Sequence, residues 1–204
     1  MIISLENNPQ IRLIARDDIM DVLEIYKPFA ASTAITLEYD VGGLEGVLKK
    51  IDNITNEYPF LVCEAVNKII GYTYASKYRF PKGHQWSAEI SIYISSGYHG
   101  KGIAKILYET LFSILKLQNF INVFAGIVLP NIKSEEFHKK LNFQEAGIFK
   151  NAGYKLGNWH DVKWFQLNLS EHTYNPPLPK TIHQIIHTPE FKTILRQANE
   201  YLIK

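Results

Sequence analysis

Residues 90–105, with the sequence ISIYISSGYHGKGIAK, predict a strand, a glycine turn and a helix in direct succession. Isoleucines alternate with other residues up to Ile94, which is the periodicity of a half-buried strand. From Ile103 onward the apolar residues recur every three or four positions, which is helical spacing. Gly100 and Gly102 lie between the two patterns and allow a sharp turn that exposes backbone N–H groups. Together with the positive end of the helix, those groups predict a site for phosphate or pyrophosphate.

Three kinds of glycine loop bind phosphate groups in this way, and residue spacing separates them. A P-loop requires a serine or threonine after its Gly-Lys pair, whereas here Lys101 is followed by Gly102. The dinucleotide fingerprint requires a third glycine where this chain has Lys105, and the next predicted strand ends without the acidic residue of that fold. The third kind is the acetyl-CoA loop with the pattern Q/R-x-x-G-x-G/A. Residues 99–104, HGKGIA, resemble it, with His99 in place of the usual Gln or Arg.

Further motifs resemble the phosphinothricin acetyltransferase branch of the GCN5-related N-acetyltransferase (GNAT) superfamily. They are WSAE at 86–89, the glycine turn itself, GIVLPN at 126–131, EEFHKKLNF at 135–143 and AGYKLGNWHDV at 152–162. The last motif is the most specific, because a polar and aromatic segment of this kind has no general structural reason to recur. The resemblance implies an α/β GNAT fold, with a mixed, mostly antiparallel sheet, helices on both faces and a splayed central strand pair.

The chain of 204 residues is divided by composition near residue 170. We interpret residues 1–170 as an acetyltransferase domain and residues 171–204 as a proline-containing linker followed by a C-terminal amphipathic helix. Thr188, Pro189 and Glu190 have the order of an N-cap, a first-turn proline and an acidic first turn. The apolar face of this helix, with Phe191, Ile194 and Leu195, is expected to be buried against the body or a partner.

The resemblance implies that acetyl-CoA is the co-substrate, and it suggests positions for each part of that molecule. Backbone groups at Ile92 and Ile94 are expected to bind the pantetheine arm in the manner of an added strand. The predicted pyrophosphate loop consists of His99, Gly100, Lys101, Gly102, Ile103 and Ala104. Asn131 follows the next strand, where its amide can reach the pantetheine or an active-site water. No metal ion is expected to take part.

Two residues are candidates for proton transfer. A free α-amino group titrates near pH 7.7 to 8.0, so an amine acceptor needs a base at neutral pH. Glu89 matches the glutamate that the family uses as general base, and its apolar neighbours would raise its pKa toward the useful range. Without the resemblance, a salt-bridged strand residue is the alternative interpretation. His138 matches a position where many superfamily members have a tyrosine acid, and it either protonates the departing thiolate or contacts the cofactor.

Arg79, Trp159 and Asp161 are the predicted acceptor-binding residues, and the segment with Trp159 and Asp161 lines either the acceptor pocket or the dimer contact that closes it. Relatives that act on phosphinothricin or methionine sulfoximine carry two basic residues, two positions apart, before the catalytic strand, and paired cations fix an amino-acid carboxylate. Here Arg79 takes the first position but Pro81 takes the second, with Lys82 offset by one. The family's substrate-covering phenylalanine and a tyrosine are replaced by Thr36 and His84. We therefore predict weak activity on phosphinothricin and a preference for another small amine.

Composition narrows the classes of protein and the compartment. The net charge is +2, and lysines and arginines are scattered, so nucleic-acid binding is not expected. There is no apolar run of 18 residues and no secretory signal pattern, so we expect no membrane partner and a cytoplasmic location. The single cysteine, Cys63, lies in an apolar run and is expected to be a buried hydrophobe. The resemblance also suggests a homodimer.

The leading hypothesis is transfer of an acetyl group from acetyl-CoA to the primary amine of a small amino-acid-like acceptor, by direct attack with Glu89 as the base. An alternative within the same fold is acetylation of another amine, such as a polyamine, an aminoglycoside or a protein N-terminus. A hypothesis of a different class is a non-catalytic CoA-binding module. A thiol-release assay across a panel of amines separates these hypotheses.

Overall fold

The computed structural model describes residues 9–40 and 42–202, and the outermost parts of the two predicted domain ranges, 1–8 and 203–204, lie outside the described residues. The described residues form seven strands and five helices. The strands are β1 (Gln10–Leu13), β2 (Phe60–Ala65), β3 (Lys68–Lys77), β4 (Ser87–Ile94), β5 (Asn122–Val128), β6 (Gln144–Lys155) and β7 (Asn158–Asn168). The helices are α1 (Ile19–Ser32), α2 (Gly43–Thr55), α3 (Ile103–Leu117), α4 (Ile132–Lys140) and α5 (Pro189–Leu202).

The strands form one sheet in the order β1-β2-β3-β4-β5-β7-β6. Strands β4 and β5 are parallel and are connected through α3, whereas the other neighbouring pairs in the described sheet are antiparallel. A parallel pair needs a crossover of this kind because the chain must return to the same edge. The predicted mixed, mostly antiparallel sheet is confirmed.

The two central strands separate part-way along their length. Strand β4 pairs with β5 at Ser87↔Asn122, Ala88↔Val123 and Glu89↔Phe124, and the register recorded for the described residues ends there. Both strands continue past this point, to Ile94 and Val128. Their divergence opens the middle of the sheet directly after Glu89, which confirms the predicted splayed pair.

Helices cover both faces of the sheet, as predicted, because successive strand residues point to opposite sides. On one face, Tyr72 and Tyr74 of β3 lie beneath residues of α1 and α2. On the other, α3 packs on β2, β3 and β4. Leu107, Leu111 and Ile114 of α3 are fully buried, and their spacing of three or four residues is that of one helix face.

Helix α5 lies in the segment expected to form a C-terminal amphipathic helix, and it packs on α3 and β1. Phe191 is buried in the main hydrophobic core, and Ile194 and Leu195 are partly buried against that core. Asn199 accepts a hydrogen bond from the backbone N–H of Ile11 at 2.6 Å and donates one to its carbonyl at 3.1 Å. The side-chain amide thus satisfies backbone groups of the edge strand β1, where a further strand would otherwise bind. No helix in the described part of the chain is long and apolar enough to cross a membrane.

From the sequence we predict a hairpin turn at Asn67 and Lys68, and two separate strands near Ala146 and from Val162 to Leu169. The structure differs from both expectations. The turn between β2 and β3 consists of Val66 and Asn67, both with positive φ, rather than Asn67 and Lys68. The second difference is larger, because β6 and β7 form one long hairpin that turns at Leu156 and Gly157. Both residues have positive φ, as a two-residue hairpin turn requires, but a leucine at such a position gives no signal in the sequence.

Candidate active site

Two connected spaces lie beside the point where the sheet opens. The first, called here the main cleft, has a volume of about 740 Å³ and lies between the sheet and the α1–α2 face. The second, the strand crevice, has a volume of about 80 Å³ and lies between the diverging strands. Ile35, Ser91, Tyr93 and Gly126 line both spaces. A ligand in the crevice and a ligand in the main cleft would therefore meet next to β4.

Glu89 lies in the wall of the main cleft, at the last paired position between β4 and β5. It is half-buried, and burial raises the pKa of its carboxyl above the ordinary value, while the charges of Arg79 and Lys50 oppose the increase. The direction of this shift is the one predicted from the apolar neighbours. A carboxylate of raised pKa in a cleft is suited to accept a proton near neutral pH.

The strand crevice contains three residues expected to contact the cofactor or its reacting end. Ile92 lies in its wall on β4, and Asn131 and His138 lie in its wall on the opposite side. The Oδ1 atom of Asn131 accepts a hydrogen bond from the N–H of Ser134 at 3.2 Å and so caps α4. This bond fixes the side chain at the mouth of the crevice.

His138 is only 3% exposed and lies among aromatic rings. Its Nδ1 atom lies 2.8 Å from the carbonyl oxygen of Ser134, which is an acceptor, so this nitrogen carries the proton. The hydroxyl of Tyr108 then donates to Nε2 at 3.3 Å. Burial lowers the pKa of His138, partly opposed by the Ser134 carbonyl. The imidazole is therefore neutral at pH 7, with both nitrogens in hydrogen bonds.

The glycine loop has the geometry expected of a phosphate site. Gly100 and Gly102 have φ of 76° and 81°, in the region that favours glycine. No protein atom lies within 4 Å of the position that a Cβ at Gly102 would take. Helix α3 starts with Gly102 as N-cap and no side-chain cap, so its first N–H groups face the open space of the loop. The Nε2 atom of His99 lies 2.9 Å from the carbonyl oxygen of Ile94, which holds the loop to the end of β4.

The other predicted loop residues have the orientations that helix and loop geometry dictate. Lys101 is exposed, with its ammonium 4.7 Å from the ring centre of Tyr98. Ile103 is fully buried beneath the loop and anchors the first turn of α3, whereas Ala104 is half-buried. The loop therefore offers backbone N–H groups and one mobile cation to a ligand.

The three predicted acceptor-binding residues are not brought together. Arg79 is exposed and its guanidinium lies 5.2 Å from the ring centre of Tyr78, within electrostatic reach of Glu89. Trp159 is 63% exposed near the end of the β6–β7 hairpin. Asp161 accepts hydrogen bonds from Lys150 Nζ and the N–H of Asn151, both at 2.8 Å. Neither Trp159 nor Asp161 lines the main cleft of the described chain.

Sequence reasoning missed a charged cluster on the opposite wall of the main cleft. Glu38 accepts hydrogen bonds from Lys50 Nζ and the Tyr26 hydroxyl, both at 2.6 Å. Burial favours the neutral acid, but these two donors hold the pKa of Glu38 below its ordinary value. Lys49 also lines the cleft. Consecutive lysines on the polar face of an amphipathic helix are typical of a solvated surface, so only the packing of α2 beside the cleft reveals them.

The described residues contain no group of three or more His, Cys, Asp or Glu side chains placed to hold a metal ion. The features of the site follow one another along β4: first the half-buried carboxylate of Glu89, then the strand crevice, and then the glycine loop at the N-terminus of α3. Residues 11–164 match the family described as the acetyltransferase (GNAT) domain. The chain belongs to the GNAT acetyltransferases.

Several similar proteins are named by their substrates. The chain is 28% identical over 157 residues to a phosphinothricin N-acetyltransferase of Streptomyces viridochromogenes, covering 77% of this chain and 86% of the relative. It is 31% identical over 113 residues to an L-methionine sulfoximine/L-methionine sulfone acetyltransferase of Pseudomonas aeruginosa, covering 55% and 66%. The crystal structure of a GNAT phosphinothricin acetyltransferase from Sinorhizobium meliloti in complex with acetyl-CoA is 29% identical. The match covers 83% of this chain and 94% of the Sinorhizobium meliloti chain, with a TM-score of 0.79.

As a GNAT enzyme the chain is an acyltransferase that uses acetyl-CoA. The residues fit this co-substrate: the space around Gly102 is open, and a Cβ there would narrow the loop that faces the α3 N-terminus. The strand crevice provides a narrow channel beside the free edge of β4, which suits an extended chain. When bound, acetyl-CoA supplies the acetyl group as a thioester.

Proposed function

We propose that this GNAT enzyme acetylates the primary amine of a small amino-acid-like acceptor, with Glu89 as the general base. The observation that carries the proposal is the position of Glu89. It lies at the junction of the main cleft and the splayed strands, half-buried and with a raised pKa. An amine bound in the main cleft would stand next to both the base and the strand crevice. The names of the relatives support an amino-acid-like acceptor.

Glu89 has one chemical task in this proposal. An α-amino group is largely protonated at neutral pH and cannot attack until it loses a proton. Glu89 accepts that proton, directly or through one water, and the neutral amine can then attack the carbonyl carbon of the bound thioester. The amide C–N bond would form as the C–S bond breaks, and CoA would leave as the thiol after its sulfur takes the second proton of the amine. Burial keeps the carboxylate basic enough for the transfer, and Arg79 and Lys50 keep enough of it ionised to act.

His138 and Asn131 act, in this proposal, by shaping the cofactor channel. His138 is neutral, and its Nδ1 proton is held by the carbonyl of Ser134. These contacts support the second of its two predicted roles, contact with the cofactor, over protonation of the departing thiolate. Asn131 caps α4 and so fixes the wall of the strand crevice at its open end. Ile92 presents the backbone of β4 to the same channel, whereas the carbonyl oxygen of Ile94 is already bonded to His99 at the end of the strand.

In this proposal, cationic side chains beside the main cleft bind the carboxylate of the acceptor. Arg79 is the residue predicted to contact this carboxylate, and it is close enough to Glu89 for its charge to lower the pKa of that carboxyl. Lys49 and Lys50 add two cations that the sequence did not suggest, although Lys50 already bonds to Glu38. Because these lysines approach from α2 rather than from the loop of Arg79, the spacing of cations differs from the pair of the phosphinothricin enzymes. This difference supports the prediction of a different preferred amino acid.

The experiment is a thiol-release assay with acetyl-CoA and a panel of amines. The panel contains phosphinothricin, L-methionine sulfoximine, several L-amino acids, spermidine, kanamycin and a peptide with an N-terminal alanine. We expect the highest kcat/KM with an amino acid, and for phosphinothricin a value below about 10⁵ M⁻¹s⁻¹, the middle of the usual enzyme range. A higher kcat/KM for spermidine, kanamycin or the peptide would contradict the proposed amino-acid acceptor and would identify that amine as the acceptor instead. If no amine of the panel led to thiol release, the hypothesis of a non-catalytic CoA-binding module would be favoured.

We also propose a homodimer that buries the end of the β6–β7 hairpin. Phe149, Tyr154, Leu156 and Trp159 are each about half or more exposed on this hairpin, and apolar surface of this kind marks interfaces. Light scattering is expected to give a dimer for the native chain and a monomer for Trp159→Glu, with Tyr174→Glu in the exposed linker as the control. A native monomer at working concentration would refute the proposal.

The cytoplasm is the proposed compartment. The single cysteine, Cys63, is fully buried and unpaired, and burial raises the pKa of its thiol to about 12. Such a thiol is an inert core side chain and needs no oxidising environment.

A further inference from the structure

The segment 152–162 is the most specific motif of the chain, yet none of its residues has a task in the proposed reaction. It forms the outer half of the β6–β7 hairpin. A bulge precedes it, because the register passes from Phe149↔Val162 directly to Gly153↔His160. Asp161 holds this bulge through its bonds to Lys150 and to the N–H of Asn151, which has a positive φ of 49°. A bulge bends a strand and redirects the residues that follow it.

The redirected residues contact the loop 33–40 between α1 and α2, called here the α1–α2 loop. Lys155 Nζ donates to the carbonyl oxygens of Thr36 at 2.6 Å and Glu38 at 2.8 Å. The Tyr39 hydroxyl donates to the carbonyl of Tyr154. The hairpin therefore contacts the α1–α2 loop at the backbone carbonyls of Thr36 and Glu38 and at the side chain of Tyr39.

Gly153 provides an apolar contact between the same two segments. A Cβ built at this glycine would lie 2.3 Å from Cδ1, 2.8 Å from Cδ2 and 3.0 Å from Cγ of Leu37. The φ of Gly153 is not in the left-handed region, so backbone conformation does not require glycine here. Close approach of Leu37 is what requires it.

The gripped loop forms one wall of the main cleft. Ile35, Thr36, Leu37 and Glu38 all line the cleft, on the side facing Glu89. Ile35 also reaches the strand crevice. A shift of the loop would therefore change the shape of the space in which the acceptor amine meets the base.

Lys155 is costly for the protein to bury. It is 2% exposed, and its ammonium is held by backbone carbonyls rather than by a carboxylate. A surface-facing lysine or an apolar residue would avoid that desolvation cost. The two hydrogen bonds from Lys155 to the α1–α2 loop offset part of the cost of burying this charge.

We propose that the hairpin is a clamp that sets the acceptor specificity of the enzyme, with Lys155 and Gly153 as positioning residues that act through the α1–α2 loop. This inference rests on the proposed function for its kinetic readout. Lys155 holds the loop at the correct distance from Glu89, and Gly153 leaves room for Leu37 to remain in the wall of the main cleft instead of projecting farther into it. Asp161 contributes from farther away by keeping the bulge that aims the clamp.

The first test uses Lys155→Met, which keeps the length of the side chain but removes its donors. With acetyl-CoA and the panel amine of highest turnover, we expect the KM for the amine to rise by about tenfold, the effect of losing a charge-assisted hydrogen bond. The KM for acetyl-CoA and kcat are expected to stay close to native values. Lys68→Met, which removes an exposed lysine at the start of β3, is the control and is expected to behave as the native enzyme.

The second test is a double-mutant cycle between Gly153 and Leu37. Gly153→Ala is expected to push Leu37 into the main cleft and raise the KM for the amine. In a Leu37→Ala background the same substitution meets no side-chain tip, so its effect is expected to disappear. Such non-additivity identifies a direct contact. Additive effects of the two substitutions would overturn the role of Gly153.

Hydrogen exchange gives a readout that does not require turnover. In Lys155→Met, faster exchange is expected for residues 33–40, with α3 and β5 unchanged. Faster exchange throughout the protein, or none in the loop, would overturn the clamp. Local exchange with an unchanged KM would overturn its role in acceptor specificity. If no amine in the panel were acetylated, local exchange in the variant would support the clamp while the proposed function failed.

Discussion

Glu89 is the general base of the proposed reaction, and its environment leads to a prediction about the pH dependence of the rate. Burial raises its pKa, so the proton-accepting form is lost at a higher pH than for an exposed glutamate. The value of kcat/KM is expected to fall as pH decreases through that raised pKa. Glu89→Gln is expected to lower the rate at pH 7 by roughly 10²- to 10⁴-fold, the usual contribution of general base catalysis.

The same variant is expected to recover part of its rate at pH 9, where a larger fraction of the amine is already neutral. Glu136→Gln, which changes an exposed glutamate of α4, is the control and should retain the native pH profile. A Glu89→Gln enzyme as fast as the native one at pH 7 would leave Glu89 with a structural role only.

At the same scale, the resemblance to the family indicated Glu89 as the candidate base, and its apolar sequence neighbours predicted the direction of its pKa shift. It did not reveal that His138 is neutral and fully hydrogen-bonded, because Tyr108 and the carbonyl of Ser134 reach it only in the folded chain. It also did not reveal Lys155, which reads as an ordinary charged strand residue.

The glycine loop and α3 form the element that is proposed to bind the pyrophosphate of acetyl-CoA. Gly102→Val is expected to weaken acetyl-CoA binding by about tenfold or more, equivalent to roughly 1.4 kcal/mol, with the fold intact. The added side chain would occupy the open space of the loop and strain a backbone with φ of 81°. Isothermal calorimetry measures the affinity directly.

Gly157→Val is a matched control for this variant. Gly157 has φ of 79° and no atom within 4 Å of its virtual Cβ, but it lies in the turn of the β6–β7 hairpin. The two substitutions strain the backbone to a similar extent, but one lies in the glycine loop and the other in the hairpin turn. Equal losses of acetyl-CoA affinity in the two variants would therefore exclude the loop as the binding site.

Elements with periodic sequences were predicted closely, whereas elements defined by partners were not. Strand β4 and helix α3 follow from their two periodicities, which are local properties of the chain. The β6–β7 hairpin extends well beyond the predicted strands because its pairing and its bulge depend on Asp161 and on a turn without the usual asparagine or glycine start.

For the whole molecule, α5 contributes to the same hydrophobic core as the catalytic half. Phe191 is 3% exposed within this core. Phe191→Ala is expected to lower the free energy of unfolding by about 3–5 kcal/mol, the usual cost of a large cavity. Because α5 lies away from the main cleft, kcat/KM per folded molecule is expected to stay near the native value.

Chemical denaturation measures the change in stability, and Tyr174→Ala provides the control, because Tyr174 is 95% exposed. Truncation after Pro177 is expected to destabilise further, since it removes the hydrogen bonds that Lys180 and Ile182 make with Gln118 and Glu57. A folded Phe191→Ala protein without turnover would show that α5 contributes to the site.

The sequence by itself determined the strand, the glycine loop and the helix that follows it, because periodicity and glycine spacing are encoded in short stretches of chain. The GNAT fold class and the candidate base followed from the resemblance of several short motifs to that family. Only the tertiary structure decided how the main cleft is built. Its walls come from α1, α2, the loop between them and the β6–β7 hairpin, which are far apart in sequence. Lys155 lies 117 residues from Glu38, and no local pattern records that the ammonium of one meets the carbonyl of the other. Burial and hydrogen bonding across that distance, rather than residue type, give these side chains their roles.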